Sequence, residues 1–131
     1  AIGDVGGFAA ATYMRGVPFI QVPTTFLSQV DASIGGKVGI NVDGLKNMAG
    51  VFSQPNGVLI DTSTLTTLPG REFLSGFAEV IKHGLIADTA YFRFVFGLKP
   101  NRIPQPQLRE VIQGSCQIKQ AVIQKDEKES G

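Results

Sequence analysis

Apolar positions recur with a helical period in the second half of the chain and form short unbroken runs in the first. From Arg71 to Ile86, Phe73, Phe77, Val80, Ile81 and Leu85 follow one another at spacings of 4, 3, 1 and 4. That predicts an amphipathic helix with this stripe turned inward. Asp88 to Phe96 predicts a second helix, and Pro100, Pro104 and Pro106 a linker. Leu108 to about Lys128 predicts a long helix with Leu108, Val111, Ile112, Ile118 and Val122 inward, and the charges from Lys125 to Lys128 read as its solvated end. In the first half, Gly6 to Met14 is small and helix-compatible. Val17 to Val22 predicts a short buried strand closed by Pro23. Thr24 or Thr25 is placed to cap a helix running to about Ala32. Ser33 to Asn47, with glycines at 35, 36, 39 and 44, reads as a loop or hairpin, and Gly57 to Ile60 as a second short strand ending at Asp61.

Composition sharpens this into an α/β part followed by a helical part. Only seven charged side chains lie in residues 1–70, and sixteen follow. The shift falls at Leu68-Pro69-Gly70, which predicts a domain boundary between an α/β part over 1–68 and a helical part over 69–131. Glycine is abundant, 16 of 131 residues, against a usual share of about 7%, and marks turns and close backbone approach. The formal net charge of +1 gives no electrostatic case for a nucleic-acid partner. The longest uncharged stretch, Gly16 to Val30, is too short and too polar to span a membrane. No basic flank precedes an apolar run at the start, and Cys116 is the only cysteine, so a cytoplasmic setting is expected.

Candidate chemistry sits in two places. On the helix over 71–86, Ser75, Glu79, Lys82 and His83 share one side, roughly opposite the apolar stripe. Glu79 with Lys82 and with His83 is placed to meet one turn on, as a solvated ion-pair face or as a carboxylate–imidazole metal pair. In the glycine-rich stretch, Asp31, Lys37, Lys46 and Asn47 are polar groups beside exposed backbone N–H donors. That combination suits phosphate, although the spacing is not that of a Walker A loop. By residue type, Thr24-Thr25 reads first as a helix cap, Arg15 as a charge at a helix end and Cys116 as core.

Eight strings occur in order along the chain: IGD at 2–4, GFAAATYMRG at 7–16, FIQVPTT at 19–25, QVDASIGGKVGIN at 29–41, LKNMAGVFSQP at 45–55, VLIDT at 58–62, TLTTLPGREFLSGFAEVIKHGLI at 64–86 and SCQIK at 115–119. Together they resemble the 3-dehydroquinate synthase family of sugar-phosphate cyclases, specifically its central part. The resemblance implies the C-terminal part of a Rossmann-like nucleotide-binding domain joined to the start of an all-helical metal- and substrate-binding domain. It implies NAD contacts from a glycine-rich turn at Gly3 and Asp4, from Thr24 and Thr25, from Lys37 and Lys46 at the cofactor–substrate junction, and from Thr64, Leu65, Thr66 and Thr67. It assigns Glu79 to a zinc or cobalt ion and does not match His83 to a ligand. Arg15, Asp31, Lys37, Asn47 and Lys82 match catalytic and substrate positions, with Arg15 handling phosphate.

The implied reaction is a lyase step of the shikimate pathway toward chorismate and the aromatic amino acids. 3-Deoxy-D-arabino-heptulosonate 7-phosphate becomes 3-dehydroquinate and phosphate, through transient oxidation by NAD, elimination, reduction and aldol closure. The phosphate itself accepts the proton as it leaves, and the metal polarises the hydroxyl that loses hydride. The implied partners are a small acidic sugar phosphate and a second copy of the complete enzyme, with no membrane and no nucleic acid. The family's two metal-binding histidines lie beyond the matched strings, so the 131 residues alone are expected to be inactive. Two alternatives stand beside this reading: another cyclase, such as a deoxyinosose or valiolone synthase, or a non-catalytic module. The intact QVDASIGGK and LKN strings favour the first reading.

Overall fold

The structure, a computed structural model, describes residues 2–125. Helix α1 spans Ile2–Thr12 and ends in a tight turn over Tyr13–Arg15, where Met14 and Arg15 adopt positive φ. It begins four residues before the expected Gly6. Gly3 and Asp4 are therefore helical, a correction to their expected place in a turn.

Strand β1, Ile20–Gln21, pairs in parallel with β4, Gly57–Val58. Bonds from Asn56 N to Phe19 O (2.8 Å) and from Leu59 N to Gln21 O (2.9 Å) extend the pairing slightly. The expected buried strand over 17–22 is corrected twice. Only two residues are strand, and Ile20 and Val22 are exposed. Among the described residues β1 pairs with one strand, and α1 covers one of its sides, where Gln21 Nε2 donates to Gly3 O at 3.2 Å, while Ile20 and Val22 stay exposed on the other.

The glycine-rich stretch folds as an antiparallel hairpin of β2 (Lys37–Val42) and β3 (Leu45–Phe52). Asp43 and Gly44 both take positive φ, the requirement of a two-residue type I′ turn. A register shift lies between Ile40 and Val42, where Asn47 N donates to Asn41 Oδ1 at 3.0 Å. Gly39 faces Gly50 across the pair. A Cβ on either would stand 2.8 Å from a carbonyl oxygen of the opposite strand.

Five helical pieces follow β4 among the described residues. Thr62–Thr67 forms a 3-10 turn capped by the Asp61 carboxylate, which accepts from Ser63 N. Helix α2 spans Gly70–Ala87, and α3 spans Thr89–Phe96 with Asp88 as its cap. Helix α4 spans Gln105–Lys125. Its start corrects the proline linker: Pro106 lies inside the first turn, where no N–H is needed. Pro100 opens a separate 3-10 turn over Pro100–Arg102. The charge run from Asp126 to Lys128 lies outside the described residues.

The core collects Phe26, Val30 and Leu65 together with Phe77, Val80, Val95, Leu108, Val111 and Ile112. Phe26 stacks on Phe73 with ring centroids 4.4 Å apart. Two expected inward positions are corrected, since Leu85 (66% exposed) and Val122 (49%) face outward. Their helices are covered on a narrower arc than the sequence stripe suggests. Among the described residues, no helix is long and apolar enough to cross a membrane.

Candidate active site

The segment after Pro23 builds the centre of the site. Thr25 caps it, its Oγ1 accepting from Ser28 N at 3.3 Å. The turn then widens into a π-helix over Ser28–Ala32, closed by Ser33 N donating to Ser28 O at 3.1 Å. Such single π turns are uncommon and cluster at functional sites. This one buries Gln29 and Val30 and leaves Asp31 half-buried beside α2 and α4.

Helix α2 brings Glu79, Lys82 and His83 to Asp31. Lys82 pairs with Glu79, and Lys119 of α4 pairs with the Asp31 carboxylate. Lys119 Nζ also donates to Asp31 O at 2.9 Å. His83 Nε2 lies 3.4 Å from Glu79 Oε1 and 3.9 Å from Asp31 Oδ1. One ligand atom from each of Asp31, Glu79 and His83 falls within 4.8 Å of the others. The solvated alternative for this helix face holds for Ser75 and for the Glu79–Lys82 pair, where Ser75 and Lys82 are exposed, and is corrected for His83, which is 4% exposed because the 28–32 turn packs against α2 there.

Hydrogen bonding and burial tune these groups in opposite senses. The hydrogen bond to Glu79 raises the Lys82 pKa against the effect of burial, so Lys82 stays an ammonium. Burial lowers the His83 pKa, only partly opposed by Glu79 and Asp31. His83 is therefore a neutral imidazole at pH 7, with a lone pair available to a cation. Two carboxylates and a neutral imidazole form a donor set that fits zinc or cobalt.

Beside this cluster opens a cavity of about 820 Å³. Asp4, Asp31, Lys37, Lys46, Asn47, Lys82 and Lys119 line it, with Gly35 and Gly39. It thus draws together Asp4 from α1, Asp31, the polar side chains of Lys37, Lys46 and Asn47 from the hairpin, and Lys82 and Lys119 from the helices. Arg15 is exposed and is not among the lining residues. The threonine segments lie elsewhere on the molecule. Thr24 and Thr25 are exposed, and so are Thr66 and Thr67, while Leu65 is part of the core. Cys116 is half-buried, its thiol pKa pushed up by burial, and Sγ donates to Gln29 O at 3.5 Å, as a core cysteine would.

Lys119 is the residue that pattern reasoning missed. It follows the SCQI string on a helix with no other polar candidate nearby, and its partner Asp31 is 88 residues away. No local spacing signals a pair at that separation.

Family models described as 3-dehydroquinate synthase N-terminal and 3-dehydroquinate synthase C-terminal match residues 1–75 and 76–131. A 3-dehydroquinate synthase of Pseudomonas putida (strain W619) is 59% identical over 99% of this chain and 36% of its own length. One from Geobacter metallireducens is 52% identical over 99% of this chain and 37% of its own length. The chain thus spans a little over a third of these relatives. Among solved structures, a 2-epi-5-epi-valiolone synthase of Streptomyces hygroscopicus subsp. jinggangensis with NAD+ and Zn2+ bound superposes with a TM-score of 0.89. It is 31% identical, over 97% of this chain and 36% of that one. A 2-deoxy-scyllo-inosose synthase complexed with carbaglucose-6-phosphate, NAD+ and Co2+ superposes with a TM-score of 0.87, at 32% identity over 98% of this chain and 36% of that one. With both of its halves matched by models of one enzyme, the chain belongs to the 3-dehydroquinate synthase family.

Proposed function

We propose that the chain is the central part of a 3-dehydroquinate synthase. It would supply the carboxylates and lysines that hold a small acidic sugar phosphate while phosphate is eliminated. The observation that carries this reading is the cavity, where Lys37, Lys46, Lys82 and Lys119 converge with Asn47 on the carboxylate–imidazole cluster. Four ammonium groups and glycine-bordered backbone suit a ligand bearing both carboxylate and phosphate. Asp31 and Glu79 each hold one of these lysines in place. Lys37 and Asn47 enter from the hairpin and close the other side. Arg15 lies off the cavity and is proposed as a phosphate contact only on the family resemblance.

Glu79 is the proposed metal ligand, with Asp31 and His83 supplying nearby donors of fitting chemistry. A bound zinc or cobalt ion would polarise a substrate hydroxyl. NAD is proposed to lie along α1 at Gly3 and Asp4, along Thr24 and Thr25, and along Thr64 to Thr67, with Lys37 and Lys46 at the junction. It would supply reversible hydride transfer and be regenerated. Leu65 can contribute only through its backbone, since its side chain is in the core.

This reading places the C-terminal part of a Rossmann-like domain in 1–68 and the start of a helical domain in 69–131. It also takes the complete enzyme to be a cytoplasmic homodimer. A second reading, a cyclase for a different sugar phosphate, is favoured by the valiolone and inosose synthases among the structural neighbours. The 52–59% identity to dehydroquinate synthases weighs against it.

Release of inorganic phosphate by the full-length protein tests both. With 3-deoxy-D-arabino-heptulosonate 7-phosphate, NAD and zinc, wild type turns over and Glu79→Gln is slower by at least about a hundredfold. Undiminished release by the variant would sink the metal role of Glu79. Phosphate release from a different sugar phosphate, with none from 3-deoxy-D-arabino-heptulosonate 7-phosphate, would establish the second reading.

A further inference from the structure

We propose that Gln29 is a positioning residue. It locks the two threonine segments to the turn that carries Asp31. The inference rests on the dinucleotide reading above for what those segments bind, and on geometry for the rest.

The side chain of Gln29 is fully buried. Its Nε2 lies 3.2 Å from Pro23 O, 2.9 Å from Asp61 O and 3.1 Å from Thr64 Oγ1. Thr64 Oγ1 donates to Asp61 O at 2.7 Å, which leaves it free to accept from Gln29. Pro23 directly precedes Thr24-Thr25, and Asp61 caps the turn over Thr62–Thr67. One amide therefore ties together the starts of both threonine segments. Its orientation follows from the chemistry: turned over, Oε1 would face two carbonyl oxygens.

The main chain of the same residue points to the other half of the site. Gln29 O accepts from Cys116 Sγ, and Asp31 O from Lys119 Nζ at 2.9 Å. Asp31 is two residues on and lines the cavity. Gln29 thus stands between the segments proposed to hold the dinucleotide and the carboxylate proposed to face the substrate. The arrangement has a cost, because Oε1 is buried with no partner among the described residues. A leucine or methionine would fill such a core site without that penalty. An amide retained there is explained by its donors.

The test is NAD binding by calorimetry to the full-length protein, with phosphate release measured alongside. Gln29→Met keeps the volume and removes the donors. Its expected effect is NAD affinity about tenfold weaker and a raised KM for NAD. Val95→Ala, a buried core change remote from these segments, is expected to lower the unfolding temperature yet keep NAD affinity within twofold. A double-mutant cycle with Thr64→Val is expected to be strongly non-additive. Unchanged NAD affinity in Gln29→Met overturns the proposal, as does an equal loss in Val95→Ala. If Gln29→Met does not fold, Gln29→Leu, which also removes both donors, is read against the same thresholds. Wild type that binds no NAD at all would instead overturn the dinucleotide reading on which the inference rests.

Discussion

Gly76 shows how much one missing side chain can settle. It is buried on α2 where that helix meets the 26–27 backbone. A Cβ there would stand 2.6 Å from Leu27 N and 2.9 Å from Phe26 C. Backbone cannot give way as a flexible side chain does, so Gly76→Ala is expected to destabilise the fold by about 1–3 kcal/mol. That is despite the better helix propensity of alanine. Urea unfolding of the full-length protein checks it, and an equal or higher midpoint would refute the close approach. The abundance of glycine is plain in the sequence. Which glycine meets backbone is not, because the neighbour comes from a segment some fifty residues earlier.

At the scale of elements, much was legible. The apolar stripe announced α2 and the segment from Asp88 to Phe96 announced α3, whereas the glycine-rich stretch read as loop or hairpin until the structure showed the turn at Asp43-Gly44 and Asp88 as the cap of α3. The partners of each element were less legible. Tyr91 fastens α3 to α4: its hydroxyl donates to Val111 O at 2.5 Å and lies 2.8 Å from Ser115 Oγ. Burial raises its pKa to about 12, above the ordinary value of 10.0. The folded state therefore favours the neutral phenol. That stabilisation is complete below pH 10 and is lost as pH rises through about 12. Tyr91→Phe is expected to cost about 1 kcal/mol at pH 8 and to flatten the loss of stability between pH 10 and 12. Unfolding midpoints at pH 8 and pH 11 test this, and an alkaline loss that persists in the variant would refute the assignment to Tyr91.

On the scale of the whole molecule, one apolar cluster takes residues from both sides of Leu68–Gly70. Phe26, fully buried and stacked on Phe73, is the largest side chain joining them. Phe26→Ala is expected to lose about 3–5 kcal/mol, read as a lower denaturant midpoint in the full-length protein. A change below 1 kcal/mol would mean that the two sides do not depend on this contact. The accessible surface, 8681 Å², exceeds the about 6,700 Å² of a compact monomer of this mass. Exposed Ile2, Ile20, Val22 and Leu59 contribute to the excess. The strand over 17–22 reads as buried because it is apolar, but burial requires cover on both faces; among the described residues β4 pairs with its edge and α1 meets Gln21 and Phe19, which leaves Ile20 and Val22 exposed.

The sequence by itself determined the helices α2 and α3 and the body of α4, the ordered strings that carry the family, and the one-turn pairing of Glu79 with Lys82 and His83. Each depends on spacings within one helix turn or on residues read in a row, where backbone geometry fixes what can touch. Only the tertiary structure decided that Lys119 holds Asp31, that Gln29 ties Pro23 to Asp61 and Thr64, and that His83 lies buried while Leu85 does not. These contacts join residues tens of positions apart. Chain spacing sets no register between them, and the packing of α4 against the π turn does.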